Sequence, residues 1–158
     1  MSIFKLEKLI NEEECIELVN MFDNYNYVQK DYQVIGSLAI RKPDFLIPIH
    51  NRLKPVIESK TNFKLKCRFY AIRKYVKGNL LKKHVDNASD WAVTIPILQS
   101  DDLNNPIVIY PDNTAVSYNL KQGDGLFFNG RKVFHERPPI QSAFLYHLYL
   151  GFKKIDIL

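Results

Sequence analysis

Two residues of the sequence, His84 and Asp86, have the types and spacing of a metal-binding pair. They lie in residues 83–87 (KHVDN), in a strand-like run, and residues i and i+2 of a strand point to the same face. An imidazole and a carboxylate are therefore expected side by side. One further imidazole from another strand would complete a 2-His-1-carboxylate set, which occupies one face of an octahedral Fe(II) ion and leaves three positions open.

His135 is the expected third ligand of this set. It lies in the strand-like residues 133–137 (VFHER), which follow a turn at Asn129 and Gly130. A His-x-Asp pair alone is weak evidence, because a surface histidine and aspartate that share a hydrogen bond give the same pattern. The context favours the metal site: Tyr75-x-x-Gly78 precedes the pair, and residues 123–128 (GDGLFF) lead into His135.

The elements that would position these residues are short strands. From residue 64 onward, runs rich in Val, Ile, Tyr and Phe alternate with turn sequences. The predicted strands are 64–76, 80–85, 91–98, 106–110, 114–120, 125–129, 131–137 and 143–152. They predict two facing, mainly antiparallel sheets, as in a barrel or jelly roll.

The first 60 residues have a different pattern. A strand is predicted at 3–10, and a helix at 12–23 is capped by Asn11. A polar loop at 24–32 and a short strand at 33–41 follow. A second helix at about 43–59 contains Pro48 and Pro55, which are expected to break or kink it. Helices followed by strands predict an α+β fold, and the 158 residues are expected to form a single domain, 1–158.

Composition excludes several classes of protein. Two cysteines, Cys15 and Cys67, are too few for a disulfide scaffold or a Cys-rich zinc module and are expected to be ordinary buried thiols. No apolar run is long enough for a membrane span, and the first residues lack the pattern of a signal peptide. The expectation is a soluble, cytoplasmic protein with no membrane partner.

The net charge is +5. Residues 64–83 alternate basic and apolar residues, which fits a solvated strand face, a nucleic-acid track or the attraction of acidic small molecules.

Four segments together resemble the Fe(II)/2-oxoglutarate-dependent dioxygenase superfamily, in particular its prolyl 4-hydroxylase-like branch. These are residues 73–78 (RKYVKG), 84–87 (HVDN), 123–128 (GDGLFF) and 135–139 (HERPP), and the opening residues 6–22 are also similar. The resemblance implies a double-stranded β-helix (a jelly-roll or cupin-like barrel) flanked by N-terminal helices. It also implies iron bound by His84, Asp86 and His135, with 2-oxoglutarate and O2 as cosubstrates.

The sequence departs from the family at the anchor for 2-oxoglutarate. The family places Arg or Lys nine or ten residues after the distal histidine, where this chain has Phe144 and Leu145. Arg137, two residues beyond His135 and on the same face of a regular strand, is the preferred anchor. The alternatives are a structural pairing of Arg137 with an acidic residue or a carbonyl, or an anchor at Arg73, Arg131 or His147.

Tyr75 matches a tyrosine that contacts 2-oxoglutarate in related hydroxylases, and a core tyrosine is the alternative. Asn87 either orients Asp86 or ends the strand. His147 is expected in the core and His50 on the surface. The loops at 24–32 and 87–90 are candidates for the rim of the site.

The resemblance implies a hydroxylase that acts on a C–H bond of a peptide or protein residue or of a small amino-acid-like metabolite and releases succinate and CO2. Two alternatives remain. One is a nucleic-acid dealkylating dioxygenase, although no basic lid or base-flipping element is evident. The other is a barrel that binds a metal or small ligand without turnover, which the missing anchor residue favours.

Overall fold

The computed structural model describes residues 2–26 and 28–156. The predicted domain 1–158 and the predicted loop 24–32 therefore include positions, 1, 27, 157 and 158, that lie outside the described residues. Within the described residues the chain forms eleven strands and two α-helices. The strands are β1 (Ile3–Leu6), β2 (Gln29–Lys30), β3 (Leu38–Arg41), β4 (Leu65–Val76), β5 (Leu81–His84), β6 (Trp91–Gln99), β7 (Ile107–Tyr110), β8 (Val116–Tyr118), β9 (Gly125–Phe128), β10 (Phe134–Arg137) and β11 (Phe144–Lys154).

The first helix, α1 (Glu12–Asp23), has the predicted bounds. The Asn11 side chain accepts a hydrogen bond from the backbone N–H of Glu14 at 2.8 Å, which satisfies one of the free donors of the first turn. The buried face recurs at helical spacing and consists of Cys15, Leu18, Val19 and Phe22. Both cysteines are free thiols: Cys15 is buried, and Cys67 is half-buried rather than buried as predicted.

The second helix, α2 (Ile47–Thr61), follows a short 3-10 turn at Asp44–Leu46. The prediction of a break at the prolines is wrong, because the helix is continuous through both of them. Pro48 lies in the first turn, where a backbone N–H has no partner within the helix. Pro55 lies inside the helix, which continues because the buried side chains of Leu53 and Ile57 hold both halves against the core.

The expected surface position of His50 is also wrong. The helix turns His50 inward, where it is 2% exposed and its Nε2 hydrogen-bonds with the carbonyl oxygen of Gly151 at 3.1 Å. The ring packs edge-on against Phe152.

The strands form two antiparallel sheets, as predicted. The large sheet has the order β1-β9-β6-β11-β4-β3-β2 and the small sheet the order β5-β10-β7-β8. All eight predicted strands of the C-terminal part are present, with ends shifted by at most a few residues. The predicted strand 33–41 is shorter, because residues 31–37 form a turn before β3.

The two faces of the large sheet have different roles. One face packs against α1 and α2 and forms the main apolar core, which includes Leu18, Leu53 and Phe127. The other face and the small sheet enclose a cavity of about 440 Å³. No helix among the described residues is long and apolar enough to span a membrane.

Candidate metal and cosubstrate site

The small sheet places His84 and His135 next to each other. They are directly opposed residues of the antiparallel strands β5 and β10, and their ring centroids are 4.3 Å apart. Asp86 follows just after β5, and its backbone N–H donates to the carbonyl oxygen of Gly130 at 2.8 Å. The three side chains predicted from spacing therefore converge on one point of the cavity wall, with ligand atoms within 4.8 Å of one another.

The tautomers of the two imidazoles suit a metal. His84 Nδ1 lies 2.7 Å from the Lys82 carbonyl oxygen, and His135 Nδ1 lies 2.9 Å from that of Val133. A carbonyl only accepts, so each Nδ1 donates and each Nε2 of a neutral ring carries a lone pair. Both Nε2 atoms lie 3.3 Å from Oδ1 of Asp86. Three acceptors this close repel one another unless a proton or a cation lies among them, so this donor set fits a divalent ion.

The charge distribution keeps Asp86 ionised. Burial raises the pKa of Asp86, but the adjacent side chains of His135 and His84 outweigh this effect and hold the pKa far below its usual value. Burial lowers the pKa of His84, while the nearby Asp86 carboxylate and the hydrogen bond with the Lys82 carbonyl raise it, and the net change is upward. A metal ion on Nε2 would replace the proton that these contacts favour.

Tyr149 and Gly130 hold the Asp86 carboxylate in place, a role that the sequence did not suggest for either residue. The Tyr149 hydroxyl donates to Oδ2 of Asp86 at 3.2 Å and lies 2.9 Å from the Ser89 hydroxyl. Gly130 lies against the same carboxylate, and a β-carbon there would overlap Oδ2. Oδ2 is therefore occupied and Oδ1 is left to face the two imidazoles.

The cavity runs from exposed residues at its mouth, including Asn87 and Ala88, to a buried end at Tyr75, His147 and Arg137. Arg137 is 4% exposed, and its Nη1 donates to the carbonyl oxygen of Asn105 at 2.9 Å. Burial lowers the pKa of this guanidinium. None of the carboxylates in residues 2–26 and 28–156 forms an ion pair with it.

Tyr75 is fully buried beside Arg137, whose guanidinium carbon lies 5.6 Å from the ring centroid. Its hydroxyl accepts a hydrogen bond from Nη1 of Arg73 at 3.1 Å. Because the arginine uses only the lone pair, the hydroxyl proton of Tyr75 remains available to donate into the cavity.

The remaining candidates fall in different places. Arg131 is exposed and pairs with Asp90, which removes it from the cavity. Asn87 is exposed, and its backbone carbonyl accepts a hydrogen bond from Arg131. The residue that orients Asp86 is Tyr149 rather than Asn87.

His147 is buried as predicted, yet it also lines the cavity and hydrogen-bonds with Thr94. Burial and the nearby Arg137 and Arg73 lower its pKa well below the usual value, so it is neutral.

Gln33, in the turn before β3, is a further residue that spacing did not reveal. Its side-chain Nε2 donates to Nε2 of His84 at 2.9 Å, and its Oε1 accepts from Nη2 of Arg73 at 3.0 Å. The predicted rim loop 24–32 therefore ends next to the site, and the residue that reaches the site lies just beyond it.

No protein-family model and no curated protein sequence matches this chain. Solved structures match it closely in fold. A prolyl-4-hydroxylase from Pseudomonas putida is 12% identical over 98% of this chain and 93% of that chain, with a TM-score of 0.74. A viral collagen prolyl hydroxylase from Paramecium bursaria Chlorella virus-1, solved with 2-oxoglutarate, is 13% identical over 96% of both chains, with a TM-score of 0.71.

A third neighbour is a prolyl hydroxylase from Trichoplax adhaerens, solved with a peptide fragment of the hypoxia-inducible factor. It is 14% identical over 95% of this chain and 84% of that chain, with a TM-score of 0.75. The chain thus has the jelly-roll fold of the prolyl hydroxylases, and the resemblance noted in the sequence is confirmed at the level of fold.

Proposed function

We propose that the chain is an Fe(II)- and 2-oxoglutarate-dependent dioxygenase that hydroxylates a C–H bond. The observation that carries the proposal is one cavity with two features. A converging His84–Asp86–His135 set lies on its wall, and a buried Arg137 that pairs with no carboxylate of the described residues lies at its end. Fold likeness to the prolyl hydroxylases supports it.

His84, Asp86 and His135 would hold the metal ion through two neutral Nε2 atoms and one carboxylate oxygen. This set is typical of non-haem Fe(II) and leaves three coordination positions for exchangeable ligands. With 2-oxoglutarate and O2, the bound iron would supply the oxidation of a substrate C–H bond, with release of succinate and CO2. Backbone carbonyls hold both rings in the tautomer that has its lone pair on Nε2, so the imidazoles are already oriented for the ion. The Gln33 amide, which contacts Nε2 of His84, would have to move aside.

Arg137 would bind the distal carboxylate of 2-oxoglutarate. A dianion inside a narrow cavity needs a positive partner, since an unpaired buried charge carries a large desolvation cost. Arg137 has the complementary need, because its buried guanidinium lacks a carboxylate among the described residues. Tyr75 would donate its hydroxyl proton to the same ligand. Arg137 therefore supplies, from β10, the charge that Phe144 and Leu145 of β11 cannot.

The substrate fits one of two forms, a residue in a peptide or a small amino-acid-like molecule. The T. adhaerens neighbour was solved with a peptide, which supports the first form. The cavity volume of about 440 Å³ is at the small end of ligand sites and has to admit both the cosubstrate and the reacting part of the substrate. The part of the substrate that enters the cavity is therefore a small group.

The direct test is the conversion of 2-oxoglutarate to succinate by the protein with Fe(II), with and without candidate peptides and amino acids. Succinate should form only with Fe(II), and it should be lost in His84→Ala and Asp86→Ala. The exposed Arg131→Ala variant serves as the control. Absence of succinate under all conditions would indicate a binding barrel without turnover. Stimulation by alkylated DNA or RNA, weakening with salt, would indicate the nucleic-acid alternative.

A further inference from the structure

One buried carboxylate, Asp31, serves two guanidinium groups at the side of the cavity. Its side chain is fully covered, and it pairs with Arg73 and with Nη2 of Arg41, the latter at 3.3 Å. It also accepts from its own turn, from the N–H groups of Gln33 (2.9 Å) and Val34 (3.3 Å) and from Oγ of Ser37 (3.2 Å). The acceptor sites of Asp31 are thus filled, and among the described residues its single negative charge is shared by two arginines.

The two arginines lie close to the metal ligands. They belong to the paired strands β3 and β4, in which Arg41 opposes Ala71 and Ala39 opposes Arg73. Both line the cavity. The Gln33 amide links Nη2 of Arg73 to the Nε2 of His84, at 3.0 Å and 2.9 Å. An anion bound at these guanidinium groups would therefore lie within one small molecule's length of the metal site.

Small or aromatic apolar groups form part of the remaining cavity lining, alongside polar side chains such as Thr94 and Tyr149. The apolar groups are Phe69, Ala71, Ala88, Ala92 and Phe128. They offer surface for a short aliphatic body and few hydrogen bonds for a polar one. The cavity thus combines cationic groups on β3 and β4 with a partly apolar lining.

The net charge of the cavity with metal and 2-oxoglutarate bound also favours an anionic substrate. Four cationic side chains of the described residues line the cavity: Arg41, Arg73, Lys82 and Arg137. The opposing carboxylates are Asp86 and the buried Asp31. A metal dication and the 2-oxoglutarate dianion cancel each other, so two positive charges remain after both have bound. An excess of one sign in an enclosed cleft attracts ligands of the opposite sign.

We infer that Arg41 and Arg73 form a carboxylate-binding subsite for the primary substrate, which is a small aliphatic carboxylic acid. The inference rests on the proposed function and names its substrate class. A carboxylate oxygen is a stronger acceptor for Nη2 of Arg73 than the amide oxygen of Gln33, which it would displace. The carboxylate fixes one end of the substrate, and an aliphatic C–H bond then faces the metal.

The reaction balances without a further reactant. The substrate C–H bond becomes C–OH with one oxygen atom of O2. The other oxygen atom enters the new carboxylate of succinate as 2-oxoglutarate loses CO2. The C–H bond supplies two of the four electrons that O2 accepts, and the decarboxylation supplies the other two.

The test compares acids with their uncharged amides. The probes are N-acetyl-L-alanine, N-acetyl-L-valine and N-acetyl-L-leucine, each with its carboxamide. The peptide acetyl-Ala-Glu-Ala-amide presents a side-chain carboxylate instead, and a short oligonucleotide presents phosphates. Binding is measured by calorimetry on protein loaded with 2-oxoglutarate and Zn(II), which has no redox chemistry. Succinate formation is measured separately with Fe(II).

At least one acid should bind more tightly than its amide, by roughly 10- to 100-fold for a charge-assisted contact. Arg41→Gln should remove most of that preference, whereas Arg52→Gln, at a surface pair with Glu14 far from the cavity, should keep it. Preference for the peptide alone would assign the subsite to a side-chain carboxylate and overturn the small-acid class. Equal binding of acids and amides, no binding of any acid, preference for the oligonucleotide or an unchanged preference in Arg41→Gln would overturn it as well.

The two proposals fail differently. Fe(II)-dependent succinate formation without substrate, combined with no preference for acids, would overturn the substrate class alone. Acid binding to the Zn(II)-loaded protein without any succinate formation under Fe(II) would overturn the oxygenase and leave the carboxylate subsite standing.

Discussion

The hydroxyl group of Tyr149 donates to Oδ2 of Asp86 at 3.2 Å. Tyr149 lies on β11 of the large sheet, whereas Asp86 follows β5 of the small sheet, the strand that carries His84. Its oxygen also lies 2.9 Å from Oγ of Ser89, and since its proton points to Asp86, the serine is the donor in that contact. The chain Ser89–Tyr149–Asp86 thus links the large sheet to the metal ligands of the small sheet. It leaves one carboxylate oxygen of Asp86 for a metal and holds the other away from it.

Tyr149→Phe should weaken metal binding without unfolding the protein, because it removes a single hydroxyl that orients a ligand. Contacts that orient metal ligands are typically worth 10- to 100-fold in affinity, so we expect a loss of about that size. Titration with Co(II), followed by its visible absorption, measures both the affinity and the ligand geometry. The exposed Tyr25→Phe is the matched control, and equal Co(II) spectra and affinities in both variants would contradict the role given to Tyr149.

Arg137→Ala should weaken 2-oxoglutarate binding to the Zn(II)-loaded protein by about 2–5 kcal/mol, because it breaks a buried charge pair. Arg137→Lys should recover part of the affinity, since an ammonium keeps the charge and loses the planar fork of donors. Calorimetry gives both values. If Arg137→Ala binds 2-oxoglutarate as the unchanged protein does, the anchor is elsewhere, and Arg73 and His147 are the groups in the cavity to test next.

Gln33→Ala should tighten metal binding. In the present structure the Gln33 amide donates to the Nε2 lone pair of His84, which is the lone pair that a metal needs. Removing this competing hydrogen bond, typically worth about 0.5–1.5 kcal/mol, should raise the affinity for Mn(II) or Co(II) by roughly 2- to 10-fold. Gln141→Ala, on the exposed turn before β11, should leave the affinity unchanged. A weaker affinity in Gln33→Ala would show that the amide supports the metal site instead of competing with it.

Stability should fall on mild acidification because of His50. Burial lowers the pKa of His50 to about 4, from an ordinary value near 6.5. Between these two values the unfolded chain binds a proton that the folded chain does not. The free energy of unfolding is therefore highest above about pH 6.5 and decreases toward pH 4, by up to about 1.4 kcal/mol per pH unit from this residue.

His50→Gln isolates that contribution, because a glutamine amide can still donate to the Gly151 carbonyl but does not titrate in this range. Denaturant unfolding in the presence of a chelator at pH 7, 6, 5 and 4.5 should show a shallower decline for the variant. Part of the decline should remain, since the pKa of the buried His147 is lowered in the same direction. Parallel curves for the two proteins would rule out His50 as a source of the pH dependence.

The sequence was informative about the strands and the three candidate ligands because both depend on local spacing. Period-2 alternation located the eight C-terminal strands, and the His84–Asp86 spacing placed both side chains on one wall. His135 was predicted as the third ligand from the strand that follows the turn at Gly130. The structure places it next to His84 and Asp86.

The residues that support these ligands could not be predicted in the same way. Tyr149 lies 63 positions from Asp86 and is one of several aromatic residues in β11, so only the pairing of sheets shows which one reaches the site. Gln33 reaches His84 through a turn that the sequence assigned to a strand. The surface position of His50 and the helix break at Pro55 were predicted wrongly. Packing of the helix against the sheet outweighs the preference of histidine for the surface and of proline for helix ends.

The position of the Asp86 carboxylate depends on Gly130, a residue without a side chain. A chain with alanine at this position would keep His84, Asp86, His135 and Arg137, and would satisfy any search for the ligand motif. Its carboxylate could not occupy the same place, because the added β-carbon would take the space of Oδ2. The residue at position 130 is thus a criterion, readable from sequence, for separating chains of this fold that can hold the metal in this geometry from chains that only carry its ligands.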